Sequence, residues 1–279
     1  MSTDREIHQI TLSSKSNFLY SFFLLPREKR EAIYTLYAFC RQTDDIADNL
    51  DPADKRLSRL NKWERELKIC LTKSVKNYFY TLKQVAERFK IPFDHFFELI
   101  DGVRMDIANL RYNSFDDLKL YCYRVASTVG LMSIQIFGYK DPAILAYAEN
   151  LGIALQLTNI IRDVGTDAKL GRIYLPQEEL SRFGVSEPEI MRNSYSENFY
   201  NLMDFQANRA HEFYQRADEC LPSHEIRNML VSEIMKNIYL KLLHKIEENH
   251  FRVLDHKIRL SMPRKIYITA KTVLDIKFA

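Results

Sequence analysis

The stretch AILAYAENLGIALQLTNIIRDVGTD, residues 143–167, sets the tightest limit on what this chain can fold into. Read as an α-helix, its circumference is mostly Leu151, Ile153, Ala154, Leu155, Leu157, Ile160, Ile161 and Val164. What remains is a narrow seam: Gln156, Asn159, Asp163 and Asp167 fall within about 80° of one another at roughly 100° per residue. A surface helix shows a broad apolar stripe and a broad polar one. A helix apolar nearly all round is enclosed by other protein, and its seam must face something polar, because an unpaired buried carboxylate is very costly.

The rest of the chain is suited to surround such a helix with more helices. Gly (7) and Pro (8) together are 15 of 279 residues, about 5% where roughly 12% is usual. Sandwiches, propellers and doubly wound sheets need turn glycines, and a nucleotide loop needs several in one place. Helix-length apolar periodicity begins after Pro26 and continues to Asp51-Pro52, then over 53–72, through KNYFYTLKQVAERFK to Ile91-Pro92, and through FDHFFELIDGVRMDIAN. A further helix is predicted from Ser114 through LKLYCYRVASTVGLMSIQIFG, and two more over 195–219 and 223–250. The segment KLGRIYLPQEELSRFGVSEPE, with Gly171, Pro176, Gly184 and Pro188, reads as loop. No stretch alternates at period two. The expected fold is all-α, one domain over 1–279, with 1–12 and 268–279 peripheral.

A net charge of +3 gives no field to recruit nucleic acid, so none is expected as a partner. Four cysteines without a CxxC pair argue against a zinc ribbon and for a reducing compartment. The opening MSTDREIHQI has no signal-peptide pattern, and no run reaches the ~18 apolar residues of a spanning helix. The expected location is the cytoplasm. Arg264, Lys265 and Lys271 leave open a peripheral contact with anionic lipid at the inner membrane face, a solvated end being the simpler reading.

A second acidic seam lies in RQTDDIAD, where Tyr37, Arg41, Asp44 and Asp48 fall within about 60° of one another on a helix. Pairs of acids at i,i+4 recur by chance; Asp94/Glu98 is one, read as a solvated face. The two seams differ from it in their surroundings. Carboxylates at i,i+4 repel and raise each other's pKa unless a cation intervenes. Hard oxygen donors with no His or Cys suit Mg²⁺, which takes one or two carboxylates and completes its shell with water and substrate phosphate. Two facing seams could therefore clamp a diphosphate through metal ions. Rival signatures are thin: one Glu-x-x-His, Glu247 to His250, sits in a charged stretch, and GxSxG, HExxH, Walker A and GxGxxG are all missing.

YAFCRQTDDIADN, YCYRVASTVG and LQLTNIIRDVGTDAKLGRIYLP, in this order and spacing, resemble the squalene/phytoene synthase family of head-to-head prenyl synthases. The resemblance runs from about Ser13 to Lys265. It implies an all-α prenyl synthase fold around a central cavity, in which two or three Mg²⁺ ions help join two prenyl diphosphates through a cyclopropyl intermediate. Within the family, FLLPREKREAIYTLYAFCRQTDDIADN and HKIRLSMPRKI look most like bacterial presqualene diphosphate synthases of hopanoid pathways. That implies condensation of two farnesyl diphosphates with release of diphosphate. Squalene, dehydrosqualene and phytoene synthases share the three motifs and stand as alternatives. NADPH belongs to the second half of squalene formation and is not expected for the first. Downstream isoprenoid enzymes are candidate partners.

By the same resemblance, Asp44 and Asp48, with Asp45 between them, match the first aspartate motif, and Asn159, Asp163 and Asp167 the second; these are the expected metal ligands. Tyr37, Arg41, Gln156, Arg162 and Tyr239 match diphosphate contacts, and Tyr121 a residue that stabilises cationic intermediates. Phe22, Phe23, Val125, Leu131 and Met132 are candidate cavity walls. Two positions depart from the pattern. Ser14-Lys15-Ser16-Asn17-Phe18 stands where the family often has His-Ser-Lys-Ser-Phe, so a substrate-binding flap there is altered. Ser127 replaces the glycine of VAGxVG and is expected to narrow the cavity. A non-catalytic relative serving as an assembly factor would show eroded aspartates, whereas both seams are complete.

Overall fold

Helix boundaries follow local chemistry closely. A computed structural model describes residues 19–278 apart from Ser74, Asn77, Asn109 and Leu110, and the described residues contain helices and no strand. A short α1 (Leu19–Phe22) precedes Pro26, which opens α2 (Arg27–Asp48). Then come α3 (Ala53–Lys73), α4 (Tyr80–Phe89) and α5 (Asp94–Ala108). Ser114 caps α6 (Phe115–Cys122) in a reciprocal box with Asp117, satisfying backbone N–H groups that a helix start leaves unpaired. The helix then widens into a π turn, Tyr123–Ser127, before continuing as α7 (Thr128–Phe137). After α8 (Ala143–Lys169), the segment read as loop instead contains α9 (Gln177–Phe183) and α10 (Glu187–Met191). Its prolines sit at or before the first helical turn, where the missing N–H costs nothing, and Gly184 ends α9 with φ +65°; the punctuation marks helix ends rather than an absence of helix. The chain finishes with α11 (Glu197–Glu219), α12 (Leu230–Glu248) and α13 (Met262–Phe278). The segment 268–279 therefore belongs largely to a helix packed on α12.

Helix α8 is the axis of the molecule. It packs along α11 and also meets the π turn, α7 and α12. Leu151, Ile153, Ala154, Leu157, Ile160, Ile161 and Val164 are all buried, while Gln156, Asn159, Asp163 and Asp167 are half-buried. Its length and hydropathy would also suit a membrane span. Its apolar surface is taken up by neighbouring helices instead, the usual reading of such a helix in a globular core.

Two glycines of α8 are there because neighbours pass too close for any side chain. A Cβ on Gly152 would lie 2.5 Å from the Ser127 Cα, so this glycine lets α8 and the π turn touch backbone to backbone. A Cβ on Gly165 would lie 1.9 Å from the Leu254 carbonyl oxygen, so the strand of chain between α12 and α13 crosses α8 in contact with it. Both contacts position the candidate site. On another face of α2, Trp63 of α3 stacks on Phe39 and donates to Thr43 Oγ1 at 3.1 Å, holding the stretch of helix that carries Cys40 and Asp44.

Candidate active site

A cavity of about 350 Å³ lies between α1, α2, α7, α8 and α12. Its polar end is lined by Arg41 and Asp44 of α2, Gln156 and Asn159 of α8, and Tyr239 of α12, with Tyr37 and Cys40 just below. Its deep end is apolar: Ile33, Phe137 and Tyr147 lie there, with Phe22 and Val129 along the side. The helical phases read from the sequence thus bring Tyr37, Arg41 and Asp44 of one seam and Gln156 and Asn159 of the other to one chamber, whereas Asp48, Asp163 and Asp167 lie off its lining, Asp167 beside Arg172 and Tyr174. Burying each helix on its apolar majority leaves the narrow polar strip as the only face turned inward to the space between them.

The acidic groups below this mouth are coupled. Asp44 is pushed up to about 8 by burial, with repulsion from Asp106 and Asp48 outweighing the pull of Arg41. Asp167 is pushed to about 7, by burial and then by Asp163. Asp106, on α5, rises to about 6 through burial, tempered by hydrogen bonds from Tyr174 and Tyr121 and by the Arg172 charge. Tyr174 Oη donates to Asp106 Oδ1 at 2.7 Å and Tyr121 Oη to Oδ2 at 3.1 Å, while the two rings stack at 5.1 Å. Asp106 repels both Asp44 and Asp167, so it stands as a third carboxylate between the two seams.

Asp163 is different. Burial alone would raise it, yet Arg162 and Lys257 outweigh burial and hold it below the ordinary carboxylate range. Arg162 Nε donates to Asp163 Oδ1 at 3.0 Å, and the Lys257 ammonium lies 2.9 Å from the same oxygen. Lys257 reaches it from the segment that Gly165 allows to cross α8. Tyr239 hydrogen-bonds Arg162, linking α12 to the same group. Asp48, the most exposed of the aspartates, accepts from Arg172 at 3.2 Å. Arg41 pairs with its neighbour Asp45 at 2.6 Å, on the exposed rim.

The donor set fits a hard divalent cation. Asn159 Nδ2 donates to Gln156 Oε1 at 3.2 Å, while Asn159 Oδ1 is buried without a hydrogen-bond partner. An orphaned buried oxygen on the same seam as carboxylates crowded into holding protons is a donor set that a hard divalent cation such as Mg²⁺ would satisfy. Asp44, Asp48, Asn159 and Asp167 are available as ligands. Asp163 also lies in the seam, with its charge at present met by Arg162 and Lys257.

Several expectations are corrected. Ser127 does not narrow the cavity: it is fully buried and its Oγ donates to the Glu149 carbonyl at 2.7 Å, tying the π turn to α8. Phe22 and Val125 do line the chamber, but Phe23 is exposed, and Leu131 and Met132 point into the packed core. Tyr121 sits with Asp106 rather than on the cavity wall. Glu98 is not a free solvated acid but pairs with Arg124 at 3.0 Å. Glu247 meets His211 at 2.7 Å, not His250. Ser14, Lys15, Ser16 and Asn17 lie outside the described residues. Asp106, Arg172, Tyr174 and Lys257 were not found from sequence. Asp106 has no acid at i,i+4, and the other three lie in irregular segments where helical phase carries no signal. The one clue was RIYLP, whose Arg172 and Tyr174 fall in the recognised motif.

The sequence profile of the family described as squalene/phytoene synthase matches residues 12–264. A 15-cis-phytoene synthase of Synechococcus elongatus is 36% identical over 278 residues, covering 94% of this chain and 89% of its own. A phytoene synthase of Arthrospira platensis is 37% identical over 265 residues, covering 89% and 85%. Among solved structures, a ligand-bound dehydrosqualene synthase superposes with TM-score 0.88 at 28% identity, covering 100% of this chain and 98% of its own. The squalene synthase HpnC of Alicyclobacillus acidocaldarius shares the fold with TM-score 0.78 at 24% identity, covering 90% and 95%.

Proposed function

The chain belongs to the squalene/phytoene synthase family of prenyltransferases, and on that premise we propose that it condenses two farnesyl diphosphates head to head into presqualene diphosphate. The condensation of two prenyl diphosphates is the activity of the family; the chain length is the inference. One observation carries it: a single chamber with a polar head and an apolar barrel of limited length. The wall from Asp44 to Ile33 on α2, or from Asn159 to Tyr147 on α8, is about 16–18 Å at ~1.5 Å per residue. A diphosphate head occupies about one helical turn of this, ~5 Å. An extended carbon chain advances about 1.2 Å per bond, so farnesyl reaches about 13 Å and geranylgeranyl about 18 Å. The barrel suits the shorter chain.

Magnesium, when bound by Asp44, Asp48, Asn159, Asp163 and Asp167, supplies Lewis-acid and electrostatic help as the allylic C–O bond ionises. The chain's own groups do the rest. Arg41, Arg162 and Lys257 offer charge-assisted hydrogen bonds to the diphosphates, and Tyr37, Gln156 and Tyr239 orient them at the mouth. The apolar barrel excludes water from the allylic cation and holds the acceptor double bond against C1 of the donor. C1 bonds to that double bond, a proton passes to the released diphosphate or to a tyrosine, and the electron pair of the broken C–H bond closes the cyclopropane. No electrons are transferred in this half-reaction, so NADPH has no part in it. Tyr121 and Tyr174 stack on one another and donate to the two oxygens of Asp106, so in this reading they position that carboxylate rather than face the cation in the barrel.

Phytoene formation from geranylgeranyl diphosphate is the second reading, favoured by the names of the cyanobacterial relatives. Purified protein incubated with Mg²⁺ and either substrate, with and without NADPH, separates the two by product mass. Presqualene diphosphate from farnesyl diphosphate without NADPH supports the reading. Turnover of geranylgeranyl diphosphate alone overturns it.

A further inference from the structure

Helix α13 is anchored along one side and bare along the other. Ile268 and Thr272 are its buried residues, and Asn237 of α12 donates to Thr272 Oγ1 at 2.9 Å. At roughly 100° per residue, Ile266, Ala270 and Leu274 point to the opposite side, with Met262, Tyr267 and Phe278 flanking them. These large side chains are all exposed: Ile266 56%, Tyr267 57%, Leu274 54% and Phe278 80%. Single exposed apolar residues are ordinary, but a continuous stripe facing away from the core is not. Basic residues accompany it. Arg264 and Lys271 run along one edge and Lys277 lies within the stripe, against a single acid, Asp275. The Arg264 guanidinium lies 5.5 Å from the Tyr267 ring. The first turn of α13 also borders the candidate site: Lys265, pushed down first by burial, feels the charges of Arg162 and Arg259.

We propose that the outer face of α13 docks the protein onto an anionic bilayer, lying in the headgroup plane with Ile266, Leu274, Tyr267 and Phe278 inserted and Arg264, Lys271 and Lys277 on the lipid phosphates. The charge pattern selects this occupant. Pairing two copies of the stripe would set its cations against one another, whereas an anionic surface satisfies them all at once. One helix of this kind binds weakly and reversibly, and its electrostatic part is screened by salt. The docked face belongs to the helix that packs on α12, which carries Tyr239. The inference does not depend on which prenyl diphosphate the site takes.

Cosedimentation of the full chain with vesicles of phosphatidylcholine, or of phosphatidylcholine mixed with equal phosphatidylglycerol, tests it. The chain should partition at least about tenfold more onto the anionic vesicles, less so at high salt. Ile266→Asp with Leu274→Asp should lose that binding about tenfold, while circular dichroism and turnover of detergent-dispersed substrate stay unchanged, since both residues are exposed. Arg264→Gln with Lys271→Gln and Lys277→Gln should lose the preference for anionic lipid and its salt dependence. A chain that stays in the supernatant with both vesicles, or an Ile266→Asp/Leu274→Asp variant that binds as well as the parent, overturns the proposal. So does a dimer that this double variant splits without any vesicle binding by the parent.

Discussion

Replacing Asp44 by asparagine should make the metal-free protein more stable and the enzyme inactive. In the folded chain the Asp44 carboxyl titrates at about 8 rather than 3.8, mainly because it is buried and partly because Asp106 and Asp48 repel it. The sign follows from linkage. Between those two values the folded state holds a proton that the unfolded state has released, so rising pH favours unfolding, and the loss is complete once pH passes about 8. At pH 7 the ceiling on this cost is about 4 kcal/mol, at ~1.4 kcal/mol per pH unit. Water and side-chain relaxation reduce it, and about 1–2 kcal/mol is the expected gain for Asp44→Asn, or ~2–8 °C in Tm for a chain of this size. The gain should be small near pH 4.5 and grow towards pH 8. Thermal melts of both proteins in chelator across that range measure it, and diphosphate release with Mg²⁺ measures activity, expected to fall at least ~10²-fold. A variant that melts below the parent in chelator at pH 8, or that keeps its activity, would refute the reasoning that crowded carboxylates await a cation.

Other consequences can be checked independently. Gly165→Ala places a Cβ 1.9 Å from the Leu254 carbonyl oxygen, so about 1–3 kcal/mol of stability should be lost, and KM for the diphosphate substrate should rise as Lys257 leaves Asp163; a melt within about a degree of the parent would remove the close-approach argument. Tyr174→Phe deletes a 2.7 Å hydrogen bond that favours ionised Asp106, so the acid limb of the kcat–pH profile should move to higher pH with the fold intact; an unmoved limb would take Asp106 out of the site. Chelation should stop turnover and added Mg²⁺ restore it. Because Asp44 and Asp167 must give up protons to bind, apparent Mg²⁺ affinity should climb between pH 6 and 8, and a flat profile would argue against those ligands.

The local determinants were legible in one dimension. Proline and glycine scarcity, helical phase and a helix start at Ser114 are properties of neighbours along the chain, and they placed α2, α3, α5, α8 and α11 within a few residues, while α12 begins seven residues later than expected. The seams on α2 and α8 were legible for the same reason: a helix fixes which side chains share a face, whatever surrounds it. The short helices α9 and α10 were missed because prolines and glycines that begin and end helices look, in sequence, like those that make loops.

What only the tertiary structure decided is which distant groups meet. That Asp106 stands between the seams, that Lys257 crosses α8 to reach Asp163, and that Ser127 turns to the Glu149 carbonyl instead of the chamber all depend on how helices pack, not on their phase. Likewise the stripe on α13 reads in sequence as one more apolar helix face; its exposure follows from Ile268 and Thr272 having taken the contact with α12. Periodicity specifies directions about each helix axis. Distances between axes come from packing, and the site's charges and its outward face were set by those distances.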